Sequence, residues 1–151
     1  MPGEIDELWD AAIYKEIAAQ AFYIAAQGKT EDHGARALMK ELADGELGHS
    51  RLLQNLKETG WQTGAWHQEK VPDLMVSQYL TAPDSLEGAG LQETFIYAMK
   101  REQQSVEFYS RMMGLVSGED AKNLCQRLVH EELRHKLKLE LYYDDLFRGD
   151  D

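Results

Sequence analysis

Glu16 and Glu102 stand 86 positions apart, and so do Tyr23 and Tyr109. The same shift lays Glu46-Leu-Gly-His49 on Glu132-Leu-Arg-His135. It also aligns Gly28 with Gly114, Leu38 with Leu124 and Leu42 with Leu128, without a gap. Each half reads Glu, then Tyr seven residues on, then Glu-x-x-His thirty residues after the first Glu. Together the halves offer four carboxylates and two imidazoles, the ligand set of a dinuclear metal centre inside a four-helix bundle. A single Glu-x-x-His carries little weight in a glutamate-rich chain. The matched offsets, the matched tyrosines and the gapless repeat carry the reading.

Four long helical segments must position these residues. The first is predicted from Glu4 to Gln27, stopped by Gly28, with Leu8, Trp9, Ala12, Ile13, Glu16, Ala19, Tyr23 and Ala26 inward. The second follows a cap region at Thr30 to Asp32 and runs to Thr59, stopped by Gly60. Its stripe is Leu38, Met39, Leu42, Glu46, His49, Leu53 and Leu56. The third spans Leu86 to Met113 and ends at Gly114, with Leu91, Phe95, Ala98, Met99, Glu102, Ser105, Tyr109 and Met112 inward. The fourth starts at an N-cap Ser117 and reaches Phe147, with Leu124, Leu128, Glu132, His135, Leu139, Tyr142 and Leu146 inward. Short turns make each half an antiparallel hairpin. Gly60 to Ser85, with Pro72, Pro83, Trp61 and Trp66, reads as a long crossover with a short helix over Asp73 to Leu80.

The glutamates fall inside the apolar stripes, each four residues after Ala12, Leu42, Ala98 or Leu128. A buried carboxylate without a counter-charge is costly, and four at one level repel unless cations or protons neutralise them. Glu and His at i, i+3 share one helix face, so both can reach one ion. Height agrees too. Glu16 precedes Gly28 by twelve residues, and Glu46 follows the next helix start by about fifteen, so both sit about 20 Å from the turn. All six donors can meet in mid-bundle.

Composition narrows the rest. A length of 151 residues suits one domain with one core. A net charge of −11 argues against nucleic acid or an anionic membrane as a partner, because phosphate binding needs a basic patch. The single Cys125 excludes an internal disulfide and a thiolate-rich metal site, which points to a reducing cytoplasm. The acidic start Met-Pro-Gly-Glu-Ile-Asp-Glu is not expected to be a secretory signal, and no apolar run is long enough for a membrane span.

On these residues the chain resembles the rubrerythrin-like branch of the ferritin-like diiron-carboxylate superfamily, over all four helices. The resemblance implies a single ferritin-like diiron domain over residues 1–151, made of two antiparallel hairpins joined by a long crossover. It implies two iron ions, with manganese or a mixed pair as alternatives, bridged by Glu46 and Glu132. Glu16 and Glu102 become terminal ligands, and His49 and His135 add one nitrogen each. Tyr23 and Tyr109 then hydrogen-bond ligand carboxylates. The expected activity is reduction of H₂O₂ in oxidative-stress defence. Alternatives are a ferroxidase of bacterioferritin type and a metal-binding assembly protein with little turnover. H₂O₂ or O₂ is the small-molecule substrate, and the chain is expected to form a homodimer or higher oligomer.

Two departures bear on this. Ser105 stands where rubrerythrins commonly carry a further carboxylate, three residues after the third-helix ligand. The four cysteines of a rubredoxin domain are missing from these 151 residues, so electrons are expected from an external donor of rubredoxin type. The remaining polar residues read more plainly. His33, His67 and His130 are expected in solvent, Cys125 as a buried small hydrophobe, and Met99, Met112 and Met113 as core filler.

Overall fold

The computed structural model describes residues 4–58 and 86–148. Four helices dominate: α1 (Glu4–Lys29), α2 (His33–Glu58), α3 (Leu91–Leu115) and α4 (Glu119–Tyr143), the last running into a π-helical turn at Asp144–Arg148. Helix α1 packs along α2 and α3 along α4, with narrower contacts from α1 to α3 and from α2 to α4. The described residues form the expected all-α four-helix bundle of two hairpins, without a strand.

Two apolar clusters lie at opposite ends of the bundle. One gathers Phe22, Ala26, Met39, Leu42, Phe95 and Leu139. The other gathers Trp9, Leu53, Met112, Leu115, Cys125 and Leu128. The first joins the end of α1 to the starts of α2 and α3 and the end of α4. The second joins the opposite ends. Helices α2 and α3 therefore point the same way, and Glu58 and Leu86 sit at opposite ends of the bundle. That is the relation a long crossover serves. The crossover itself lies outside the described residues, with Trp61, Trp66, His67 and the helix expected over Asp73 to Leu80.

Local chemistry moves several expected boundaries. Neither Gly28 nor Gly114 stops its helix: α1 continues to Lys29 and α3 to Leu115. A single glycine costs a helix only about 1 kcal/mol, which neighbouring contacts offset. At the first turn, Thr30 Oγ1 donates to the Ala26 carbonyl at 2.6 Å and the Arg36 guanidinium donates to the Thr30 carbonyl at 2.8 and 3.0 Å. Asp32 caps α2 by accepting the Ala35 N–H at 2.9 Å. Helix α3 begins at Leu91 rather than Leu86, because Glu93 reaches back to the Gly90 N–H at 3.1 Å. The N-cap of α4 is Gly118 at φ 97°, not Ser117. That left-handed value favours glycine over any residue with a Cβ.

The inward stripes hold with few exceptions. Leu8, Ile13, Leu56, Leu91, Met99, Leu124 and Tyr142 are only partly buried. Leu146, expected inward, is 36% exposed, since the helix loosens into its π turn before reaching it. Among the described residues no helix is long and apolar enough to cross a membrane.

Leu128 is fully buried beside the charged layer. Leu128→Ala is expected to cost about 2–5 kcal/mol, the usual range for a leucine truncated in a packed core. Urea denaturation measures it, and a loss below about 1 kcal/mol would show that the bundle end collapses around the gap.

Candidate metal centre

Between the two apolar clusters lies a layer of charge. Glu16 projects from α1, Glu46 and His49 from α2, Glu102 from α3, and Glu132 and His135 from α4. The four carboxylates are each no more than 1% exposed. Alanines at 12, 19 and 98 flank Glu16 and Glu102, leaving room for the acids to turn inward.

The ligating atoms form two interlocked sets. Glu16, Glu46, His49 and Glu132 each bring one donor atom within 4.8 Å of the others, and so do Glu46, Glu102, Glu132 and His135. Glu46 and Glu132 belong to both sets. His49 Nδ1 lies 3.2 Å from Glu16 Oε1 and 3.3 Å from Glu46 Oε1. His135 Nδ1 lies 3.1 Å from Glu132 Oε1 and 3.5 Å from both Glu46 Oε1 and Glu102 Oε2. The two imidazole rings stand nearly parallel, 6.0 Å apart.

Each tyrosine crosses to the other hairpin. The Tyr23 hydroxyl donates to Glu102 Oε2 and the Tyr109 hydroxyl to Glu16 Oε2, both at 2.5 Å. These bonds occupy one oxygen of each outer carboxylate. His49 Nδ1 pairs with the other oxygen of Glu16, but much of the layer is left without hydrogen bonds. Both oxygens of Glu46, both of Glu132, Glu102 Oε1 and His135 Nδ1 are buried without a hydrogen-bond partner. Native interiors rarely strand so many polar atoms in one place. Cations between the two sets would satisfy all of them, so the residues fit a pair of metal ions. Oxygen-rich ligation with two imidazoles suits iron or manganese rather than a metal that prefers soft donors.

Electrostatics describe the layer in its metal-free form. Burial, then the charge of Glu46, raise Glu16, and the same pair pushes Glu102 up to about 7. Burial and the charges of Glu102 and Glu46 raise Glu132 well above the carboxylate range. Burial would raise Glu46 too, but the two imidazoles overcome it and hold Glu46 at about 2. Burial disfavours the imidazolium ions, yet the surrounding carboxylates push His49 to about 11 and His135 to about 12. Without metal, the layer balances its acids with two imidazolium ions and shared protons.

Other candidates lie elsewhere. His33 and His130 are exposed, and His67 is outside the described residues. Cys125 is buried, its thiol pushed up to about 12 by burial. One contact was not foreseen: Glu131 Oε1 lies 2.6 Å from His49 Nε2. Its sequence signal was faint, an acid next to the Glu-x-x-His glutamate and four residues after Arg127.

The metal-free protein should lose stability as pH rises. Glu16, Glu102 and Glu132 are raised, so their stabilising contribution is complete below about pH 4.5 and declines through the folded value, about 7 for Glu102. The imidazoles act the same way from about pH 6.5 toward 11 and 12. Glu46 opposes them only below about pH 4.5. Urea denaturation from about pH 5 to 8 is expected to show a steady decline, reversed when excess divalent metal takes the place of the protons. A flat metal-free profile would contradict the layer described here.

The comparisons agree with the geometry. A solved structure described as "Hypothetical Protein Pfu-1136390-001", from Pyrococcus furiosus, superposes with a TM-score of 0.72 at 23% identity, covering 97% of this chain and 92% of that one. At that identity the likeness concerns the fold alone. No curated protein matches the sequence. The family model described as Rubrerythrin matches residues 7–143, a span that holds α2, α3, α4, all of α1 from residue 7 onward and every residue of the charged layer. The chain therefore belongs to the rubrerythrin family.

Proposed function

We propose that the chain, acting as a single diiron domain, is an oxidoreductase that reduces hydrogen peroxide to water. The observation that carries the reading is the pair of interlocked donor sets sharing Glu46 and Glu132 in a buried layer. In this reading Glu46 and Glu132 would serve both iron ions, Glu16 and His49 would complete one site, and Glu102 and His135 would complete the other. Iron held so supplies two electrons together, which is what H₂O₂ needs, with two protons, to give two waters. The remaining work belongs to the protein. Tyr109 and Tyr23 hold one oxygen of Glu16 and of Glu102, which fixes how each carboxylate faces the centre. The flanking apolar clusters keep bulk water out. In this reading electrons come from an external donor of rubredoxin type, and Cys125, buried with its thiol pushed up to about 12, takes no part. The proposal places the protein in a reducing cytoplasm, as a homodimer or higher oligomer.

Ser105 favours a second reading, a ferroxidase of bacterioferritin type. It is 6% exposed, one helical turn beyond Glu102, and offers a hydroxyl where a fifth carboxylate, the seventh donor, would stand. Six donors without that extra acid suit oxidation and release of iron.

Ligand substitutions separate shared from unshared residues. Glu46→Ala or Glu132→Ala is expected to abolish both binding events in a calorimetric metal titration. Glu16→Ala is expected to weaken mainly one. Equal losses in all three variants would contradict the bridging assignment.

Oxidant preference tests the reaction. Stopped-flow mixing of the reduced, iron-loaded protein is expected to show faster oxidation by H₂O₂ than by O₂, with sustained turnover only when a reductase is added. Ser105→Glu is expected to raise peroxide turnover. If O₂ is at least as fast, and many equivalents of Fe(II) are oxidised to a mineral, the ferroxidase reading replaces the peroxidase one.

A further inference from the structure

The charged layer is nearly two-fold symmetric, but its surroundings are not. Both imidazoles turn Nδ1 toward the carboxylates. The outward nitrogen of His49, Nε2, meets Glu131 Oε1 at 2.6 Å. Glu131 is held in turn by Arg127 Nε, 2.8 Å from its other oxygen. Subtracting 86 gives the corresponding residues of the first half, Gly45 and Glu41. Gly45 has no side chain to offer His135. A Cβ there would lie 2.9 Å from His135 Cε1 and 3.0 Å from Nε2, so the ring's outer edge fills the space a side chain at 45 would need. Glu41 pairs outward with Lys138 instead. Among the described residues, the acidic contacts of His135 run through Nδ1 alone. Its side chain is 13% exposed, against 5% for His49.

The difference has a chemical consequence. An imidazole that binds an ion through Nδ1 must carry its proton on Nε2. A carboxylate at Nε2 fixes that tautomer, holds the ring in place and makes Nδ1 a better donor. Arg127 and Glu131 provide this to His49. Position 45 cannot provide it to His135.

We infer that Glu131 is a positioning residue that makes the His49 side of the centre the tighter metal position, and that Gly45 leaves the His135 side the weaker, exchangeable one. The inference rests on the two-ion reading of the centre. It makes the two ions unequal although their direct donor sets match in kind.

Calorimetric titration of the metal-free full chain with Co(II) tests it. The unsubstituted protein should bind one ion tightly and a second more weakly. Glu131→Ala should weaken the tight step about 10- to 100-fold, the usual effect of removing a carboxylate behind a ligating histidine, and leave the weak step unchanged. Glu131→Gln keeps an acceptor for Nε2–H and should recover part of the loss. His135→Ala should remove the weak step and spare the tight one. A second readout is the Co(II)-shifted imidazole N–H signal in proton NMR. One such proton, on His49 Nε2, should exchange slowly with solvent and become fast in Glu131→Ala. Circular dichroism of each variant checks that the helices persist. Two bound ions of equal affinity, or a tight step unmoved by Glu131→Ala, would overturn the inference and leave the two-ion reading intact. No bound cobalt at all would overturn both.

Discussion

Four carboxylates at one level of an apolar bundle repel one another, and the fold must answer that repulsion. Ordinary core packing cannot, since neither leucine nor alanine carries a counter-charge. The answer within the chain is partial. Two imidazolium ions approach the acids, two tyrosine hydroxyls cap the outer pair, and both oxygens of Glu46, both of Glu132 and one of Glu102 stay without a hydrogen bond. A layer built this way is poor as a stabilising device, because well-packed apolar residues would cost less. It is coherent as a receptacle for cations. The apolar clusters at either end stabilise the bundle and so offset the cost of the middle.

Much of this was legible in the chain because helical periodicity and the 86-residue repeat report on the same thing. Glu46 and Glu132 stand out in the sequence only because Leu42, Leu53, Leu128 and Leu139 define stripes that they interrupt. The same stripes located the core, since a helix with one apolar face has one way to bury it. Helix ends were less legible. Gly28 and Gly114 look like stops, but a glycine stops a helix only when the chain must turn there, and both halves carry on. The start of α3 depends on the Glu93 side chain bonding the Gly90 N–H, a contact between two residues that a stripe does not register.

Glu131 shows a different limit. Its neighbour Glu132 lies in the stripe, so Glu131 reads as a solvated residue on the helix flank. What gives it a partner is the facing helix α2, which brings His49 to within 2.6 Å. Contacts between hairpins set that distance, and no spacing within α4 contains it. The repeat even argued the wrong way, because its counterpart is glycine. Symmetry located the donors in the middle and was silent about what stands behind them.

The crossed tyrosines have one more consequence. Tyr23 leaves the first hairpin to reach Glu102 of the second, and Tyr109 returns the gesture to Glu16. Neither donor set is complete within one hairpin, since each takes residues from both. The hairpins themselves are held by contacts close in sequence, which form fast. Joining them brings all four acids to one level, so much of the electrostatic cost belongs to the association of the two halves. Protons or cations that neutralise the layer therefore bear on how the halves associate as well as on the finished site.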